Sequence, residues 1–296
     1  MSVDSAALDS PNEIQFQFGG TQEVGATIGS DCGIESDNFP TAPNRYSLLI
    51  LSRNQMPLRS LLTRRREPEL MDQPGLDAAQ HQHALGGLAR INWWSRSDAI
   101  FWPSLEQLSH TKQQRTGDGA IKVLDLACGG GDVTVALAQR AARTQRPMTF
   151  TGVDLSETAL EVARERSREA AVSVEFQQRD VSNADLPTGF DAVICSLFLH
   201  HLDEPDAVTL LRKMSQSAER LVLVNDLIRS TIGYGLAVCV TRLLTRSHIV
   251  HVDGPLSVAG AFSIDEARRM ASEAGMGHVT IQKHWPWRFL LSWSRS

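Results

Sequence analysis

The sequence predicts an α/β fold: a mostly parallel sheet with helices on both faces, ending in an antiparallel hairpin strand. Three observations carry that prediction. From residue 121 onward, short apolar runs alternate with stretches of helical apolar spacing, the repeating βα pattern. The first run, Ile121-Lys122-Val123-Leu124-Asp125-Leu126, passes through Ala127 and Cys128 into Gly129-Gly130-Gly131, and Val133, Ala136 and Leu137 then resume at helical spacing. Near the end, Pro286 divides two β-like runs at a point where a ladder N–H would be missing.

Taken in order, residues 1–66 mix Ser, Gly, Asp, Asn and Pro with isolated apolar residues, the composition of a poorly ordered tail. Residues 67–118 read as a helical cap. Asp77 is a candidate N-cap for a helix carrying Leu85, Leu88 and Ile91 on one stripe. Trp93, Trp94, Phe101 and Trp102 precede Pro103, and Leu105 and Leu108 suggest another helix beyond it. Such an aromatic cluster either packs a helical pair onto the core or forms a lid over an apolar substrate. The main domain is expected over 119–296, with later strands at 148–153, 172–176, 190–195 and 220–224. Ser156 can cap a helix with Ala159, Leu160, Val162 and Ala163 on its apolar face. Residues 229–262, with Gly233, Gly235, Gly254 and Pro255, read as an insertion that breaks the rhythm. Ser263 and Glu266 then open a capped helix that ends at Gly275 or Gly277, and 278–285 and 287–293 form the hairpin.

The chain has 296 residues, 42% hydrophobic and 21% charged, which suits a folded core. With 34 acidic against 29 basic side chains the net charge is −5, and Arg64-Arg65-Arg66 is too short to favour nucleic acid. Cys32, Cys128, Cys195 and Cys239 lie far apart with no C-x-x-C pair, so they read as reduced thiols, neither disulfide nor zinc ligands. His81 and His83 are not spaced i, i+4, and no metal site is expected. The acidic start lacks a secretion signal's basic and apolar regions, and 232–240 is far short of the roughly 20 residues of a membrane span. A cytoplasmic protein without membrane insertion is the expectation.

The glycine turn binds a nucleotide-like ligand by simple physics: glycines let the ligand lie on bare peptide groups, and the helix beyond points free N–H groups at it. The dinucleotide fingerprint G-x-G-x-x-G fails in both registers, with Asp132 or Thr134 in the third glycine slot. That disfavours an NAD-dependent oxidoreductase. Asp125, two residues before the loop, suits a ligand bearing an ammonium group. Asp154 lies 25 residues beyond Gly129, where an acid can accept from a ribose diol or cap a helix. Asp180-Val181 follows the third strand and is either a ligand contact or an Asx turn. Ser196 follows the fourth strand, at the sheet edge where open α/β sheets bind ligands.

Asp125-Leu-Ala-Cys-Gly-Gly-Gly resembles the acidic-x-Gly-x-Gly-x-Gly signature of class I S-adenosylmethionine (SAM) methyltransferases, with Ala127 in place of the first glycine. The segment Leu-His-His-Leu-Asp-Glu-Pro-Asp, at 199–206, resembles ubiquinone/menaquinone methyltransferase-like proteins and small-molecule O-methyltransferases. The resemblance covers about residues 76–293. It implies a Rossmann-like seven-stranded sheet of order 3-2-1-4-5-7-6 and SAM as cofactor. It also implies that Asp125, Ala127, Cys128, Gly129 and Gly131 bind SAM, that Asp154 binds the ribose, and that Leu155, Asp180 and Val181 meet the adenine; Ser196, by its place at the sheet edge, is expected to face the methionine moiety. A histidine, here His200, acts as general base in the O-methylating relatives, because a phenol is a poor nucleophile until its proton is withdrawn. His200 can equally cap a helix or hold a loop. The expected function is methyl transfer to a small aromatic or quinone-like acceptor, on oxygen or carbon, held between the N-terminal helices and residues 229–262. A SAM-binding module that transfers nothing is the alternative. Asn225-Asp226 can orient the acceptor or form a turn, and His248, His251 and Asp253 either line the pocket or satisfy a loop.

Overall fold

The computed structural model describes residues 61–295 apart from 74 and 118–119. Among these residues eight α-helices and seven strands follow one another: α1 (Ala78–Trp94), α2 (Ser97–Thr116), β1 (Ile121–Leu126), α3 (Asp132–Arg143), β2 (Met148–Asp154), α4 (Glu157–Glu169), β3 (Glu175–Gln178), β4 (Phe190–Ser196), α5 (Glu204–Ser217), β5 (Ala218–Leu227), α6 (Thr231–Leu244), α7 (His248–Gly260), α8 (Ile264–Glu273), β6 (Thr280–His284) and β7 (Arg288–Ser294). The strands form one sheet of order β3-β2-β1-β4-β5-β7-β6, as expected. β1 to β5 run parallel, whereas β7 runs antiparallel to both β5 and β6.

Alternation along the strands sends successive side chains to opposite faces. On one face Leu124, Leu126, Val193 and Val222 pack against α5 and α8 through Leu211, Met214 and Met270. On the other, Val123, Phe150, Ile194 and Leu223 meet α2 and α3 through Phe101, Leu105 and Leu137. Stacked this way, all five parallel strands end at the same sheet edge. A smaller apolar cluster of Ala84, Ile249 and Val250, with Leu70, Leu88 and Ile91 around it, joins α1 to α7 away from the sheet.

Predicted caps are present: Asp77 accepts from Gln80 N–H, Ser156 from Ala159 N–H, and Ser263 with Glu266 completes a capping box. Three expectations are corrected and one is filled in. Pro103 does not separate two elements; it lies inside α2, and Phe101 and Trp102 are core residues of that helix, whereas Trp93 stands exposed. The third strand starts three residues later than predicted, at Glu175, because its register against Thr151–Asp154 of β2 sets its limits. Residues 229–262, expected as an insertion and given no elements, carry the helical hairpin α6–α7. Residues 61–66, read as tail, are bonded to the domain: Arg64 donates to the carbonyls of Gly260, His200 and Leu202, and Arg66 to Asp203. Residues 1–60 of that predicted tail, with Cys32, lie outside the described residues. No described helix is long and apolar enough to cross a membrane.

Candidate active site

A cavity of about 600 Å³ opens at the carboxyl ends of the parallel strands. Its lining includes Asp125, Ala127, Cys128, Gly129, Asp154, Leu155, Asp180, Val181 and Ser196. Gly131 does not line it but starts α3 just behind, at φ +68°, where an added Cβ would stand 2.7 Å from the Ala163 Cβ. That position requires glycine both for its backbone angle and for the approach of α4. Ala127 takes the left-handed conformation as well, at φ +51°.

The turn is tied to the second strand tip by two backbone donors. Cys128 N–H donates to Val153 C=O at 3.0 Å, and Gly129 N–H donates to Asp154 Oδ2 at 2.8 Å. Asp154 Oδ1 accepts from Ser156 N–H at 2.9 Å, so this acid also braces the entry to α4. Leu155, 64% exposed, presents a bare apolar side chain to the cavity. Asp180 behaves as an Asx turn: Oδ1 accepts from the N–H groups of Ser182 and Asn183, and Oδ2 from the Asn183 amide. These bonds hold its carboxyl below the usual range. Ser196 Oγ accepts from Asn225 Nδ2 at 3.1 Å, and the next residue, Leu197, sits at φ +56°.

Asp125 is 1% exposed. Its Oδ2 accepts from Thr134 Oγ at 2.5 Å, and its Oδ1 is buried without a hydrogen-bond partner. Burial pushes its pKa up to about 7; the Thr134 hydroxyl opposes the rise and the charges of Asp132 and Asp154 add to it. Burial also raises Asp132 and Asp154. Arg166 and Arg288 act on Asp132, whereas Asp125 has no cationic side chain among its influences, so a bound cation suits the low-dielectric hollow beside it. A sulfonium nucleoside with an ammonium group supplies that charge, and the orphaned Oδ1, the glycine cradle and the exposed Leu155 give it places to bind. The residues present therefore fit SAM.

At the far end of the cavity stand Glu69, Asp72, His201 and Leu202. His200 is 4% exposed and does not line the cavity. Its Nδ1 lies 2.6 Å from Asp226 Oδ1, and its backbone N–H donates to Asp226 Oδ2 at 3.2 Å. Asp226 thus holds both ring and loop, while its own carboxyl, despite burial, is kept below the usual range by His200. His201 places Nδ1 2.9 Å from Asp72 Oδ2. Asp253 is not a wall of this pocket: it accepts from Leu70 and Met71 N–H at 2.8 and 3.0 Å and so fixes the segment bearing Glu69. His251 Nε2 lies 2.9 Å from Thr245 C=O, and His248 is exposed. Sequence reasoning missed Glu69 and Asp72, for which no local pattern exists.

Residues 123–219 match the family model described as "Methyltransferase domain". The chain is 30% identical over 199 residues to a ubiquinone biosynthesis O-methyltransferase of Chromobacterium violaceum, covering 64% of this chain and 79% of that protein. It is 29% identical over 204 residues to the protein of the same name from Pseudomonas savastanoi pv. phaseolicola, covering 65% and 84%. Among solved structures, the S-adenosylmethionine-dependent methyltransferase SibL in its apo form superposes with a TM-score of 0.55 at 22% identity, over 84% of this chain and 68% of that one. An O-methyltransferase family 2 protein from Planctomyces limnophilus gives 0.54 at 16% identity, over 86% and 71%. These two structures share the fold.

Proposed function

Because this chain belongs to the class I S-adenosylmethionine-dependent methyltransferases, we propose that its methyl acceptor is a hydroxyl of a small aromatic or quinone-like molecule. The observation that carries this reading is a single cavity with two chemically distinct ends. One end gathers the strand-tip carboxyls and the glycine turn; the other gathers histidines and acids beside the apolar wall of Leu85, Leu88, Phe198 and Leu202. An apolar pocket with a few convergent polar groups suits a flat, hydroxylated acceptor. The names of the relatives from Chromobacterium and Pseudomonas point the same way.

When bound, SAM supplies a methyl group on a positively charged sulfur for in-line displacement. The chain's own part is positioning and proton management. Asp125 neutralises the ammonium end, Asp154 accepts from the ribose diol, Leu155 and Val181 flank the adenine with Asp180, and Ser196 with the peptide groups from Ala127 to Gly131 lines the methionine arm. α1, whose Leu85 reaches to 4.0 Å from the Cβ position of Gly129, covers the turn and keeps water away. His200 withdraws the proton at one remove: Glu69, which lines the cavity, takes it from the acceptor, and His200, whose Nδ1–H is accepted by Asp226, turns its Nε2 lone pair toward Glu69 Oε1, 3.7 Å away, to receive it.

The test is transfer of labelled methyl from SAM to a panel of catechols, hydroquinones and monophenols beside amines and thiols. Label on phenolic oxygen is expected, and transfer confined to nitrogen or sulfur rejects the acceptor class. His200→Ala is expected to lower kcat at least 100-fold with SAM affinity retained. An unchanged kcat removes His200 from the mechanism.

A further inference from the structure

Glu69 is 8% exposed, and a carboxylate so placed needs a counter-charge. No Lys or Arg supplies one among the described ion pairs of this residue. Its Oε1 accepts from Ser257 Oγ at 2.6 Å, and its other neighbours are His200 Nε2, 3.7 Å from Oε1, and His201 Nε2, 3.9 Å from Oε2. Those distances exceed a hydrogen bond. Both rings are oriented alike: each commits Nδ1 to a carboxylate, His200 to Asp226 and His201 to Asp72, and each turns Nε2 toward Glu69.

We propose that Glu69, His200 and His201 bind a divalent first-row transition cation of the zinc, cobalt or iron(II) type. One donor atom from each of the three lies within 4.8 Å of the other two. Bonds of about 2.1 Å to a shared ion would bring them to roughly 3.0–3.5 Å, a side-chain movement of an ångström or so. Two imidazoles and one carboxylate form a ligand set that leaves coordination positions open. The carboxylates behind the rings are the partners that fix ligating histidines by their second nitrogen. Asp253, by clamping the N–H groups of Leu70 and Met71, keeps Glu69 in place although it is more than 130 positions from the histidines in the chain. Until an ion binds, His201 carries the counter-charge, since Asp72 and Glu69 outweigh burial and raise its pKa to about 9; the ion would displace that proton from Nε2.

Glu69 and His201 line the cavity, so open positions on the ion face the acceptor. There the ion would orient a hydroxyl and lower its pKa. This role rests on the acceptor reading above and deepens it, the cation standing where His200 would otherwise hold a proton; the binding of the ion does not rest on it.

The experiment uses the untagged full chain, stripped with chelator and titrated with Co(II). The expected result is one equivalent bound per chain, with visible ligand-field bands, and binding at least tenfold weaker in Glu69→Gln and in His201→Asn. Asp72→Asn, which alters an exposed partner and no ligand, is expected to weaken Co(II) binding 10- to 100-fold with unfolding midpoint unchanged. Absence of stoichiometric binding by the wild-type chain overturns the proposal, as does binding that none of the three variants alters. SAM affinity and phenol methylation, measured on the same samples, report separately. Metal binding without methylation of any phenol would leave this site standing and reject the acceptor; methylation unaffected by chelation, with no bound metal, would do the reverse.

Discussion

The two ends of the cavity are built in different ways. The end formed by β1, β2 and β4 is made from backbone: a glycine turn, a helix N-terminus and acids within two residues of strand tips, all within 72 positions between Asp125 and Ser196. The opposite end is made from side chains contributed by the 61–72 segment, the 199–201 turn, the tip of β5 and helix α7, joined by bonds such as Glu69 to Ser257 across 188 positions and Asp72 to His201 across 129. A backbone site tolerates side-chain change and fails when a Cβ intrudes. A side-chain site fails when its supports are cut.

The largest effect should come from the backbone end. Gly131→Ala forces φ +68° on an L-residue and sets its Cβ against α4, at 2.7 Å. The expected loss is about 3 kcal/mol from strain and overpacking together, with SAM binding abolished by calorimetry. A variant that unfolds in urea like the wild type and binds SAM normally would break the contrast.

The side-chain end should instead loosen in acid. Arg229 grips Glu266 through two 2.9 Å bonds and reaches the carbonyls of Ala261 and Leu61, tying the 61–66 segment to α8. Burial alone would raise the Glu266 pKa, but Arg229 and the Ser263 N–H draw it from 4.5 to about 2. A carboxyl depressed in the folded state stabilises above its unfolded pKa, and that contribution fades as pH falls from about 4.5 toward 2. Discounted for partial exposure, it is about 2 kcal/mol. Glu266→Gln should flatten the stability curve in this window. Hydrogen exchange at pH 3.5 should show residues 61–72 opening before β1; simultaneous opening would mean the ends are not separate units.

The next effect returns to Asp125. With its pKa at about 7, it is largely protonated below neutrality, and a cationic ligand binds its charged form. SAM affinity should fall about tenfold per pH unit below 7, with proton release measurable by calorimetry in buffers of different ionisation enthalpy. A flat profile from pH 5.5 to 7.5 would separate Asp125 from the ammonium. The smallest effect is Ala127→Gly, which relieves the strain at φ +51° while adding freedom to the unfolded chain. A net gain of about 0.5 kcal/mol in urea unfolding is expected, and a loss above that size would show that the Ala127 methyl packs usefully.

What could be read in the sequence follows the same division. Apolar alternation, the caps at Asp77, Ser156 and Ser263, and the order of strands with their terminal acids all depend on neighbours within a few residues, so the sheet and the acids of its edge were legible. Residues 229–262 were not, because Gly254 looks like punctuation yet serves close packing: a Cβ there would meet Thr241 Cγ2 at 2.5 Å, where α7 crosses α6. The likeness of Gly254 to a turn residue is real at the level of propensity, and tertiary contact overrides it.

The chain by itself determined the order of strands, the glycine turn and the acids at their tips, since hydrogen-bonding geometry and side-chain period act over one turn or one strand. Only the folded molecule decided which of two adjacent histidines meets the cavity and which is locked to Asp226, and only it brought Glu69 to face both. A 3₁₀ turn swings neighbouring residues to different sides, and the partners that select each orientation, Asp72 and Asp226, lie 129 and 26 positions away, beyond the range of any local rule.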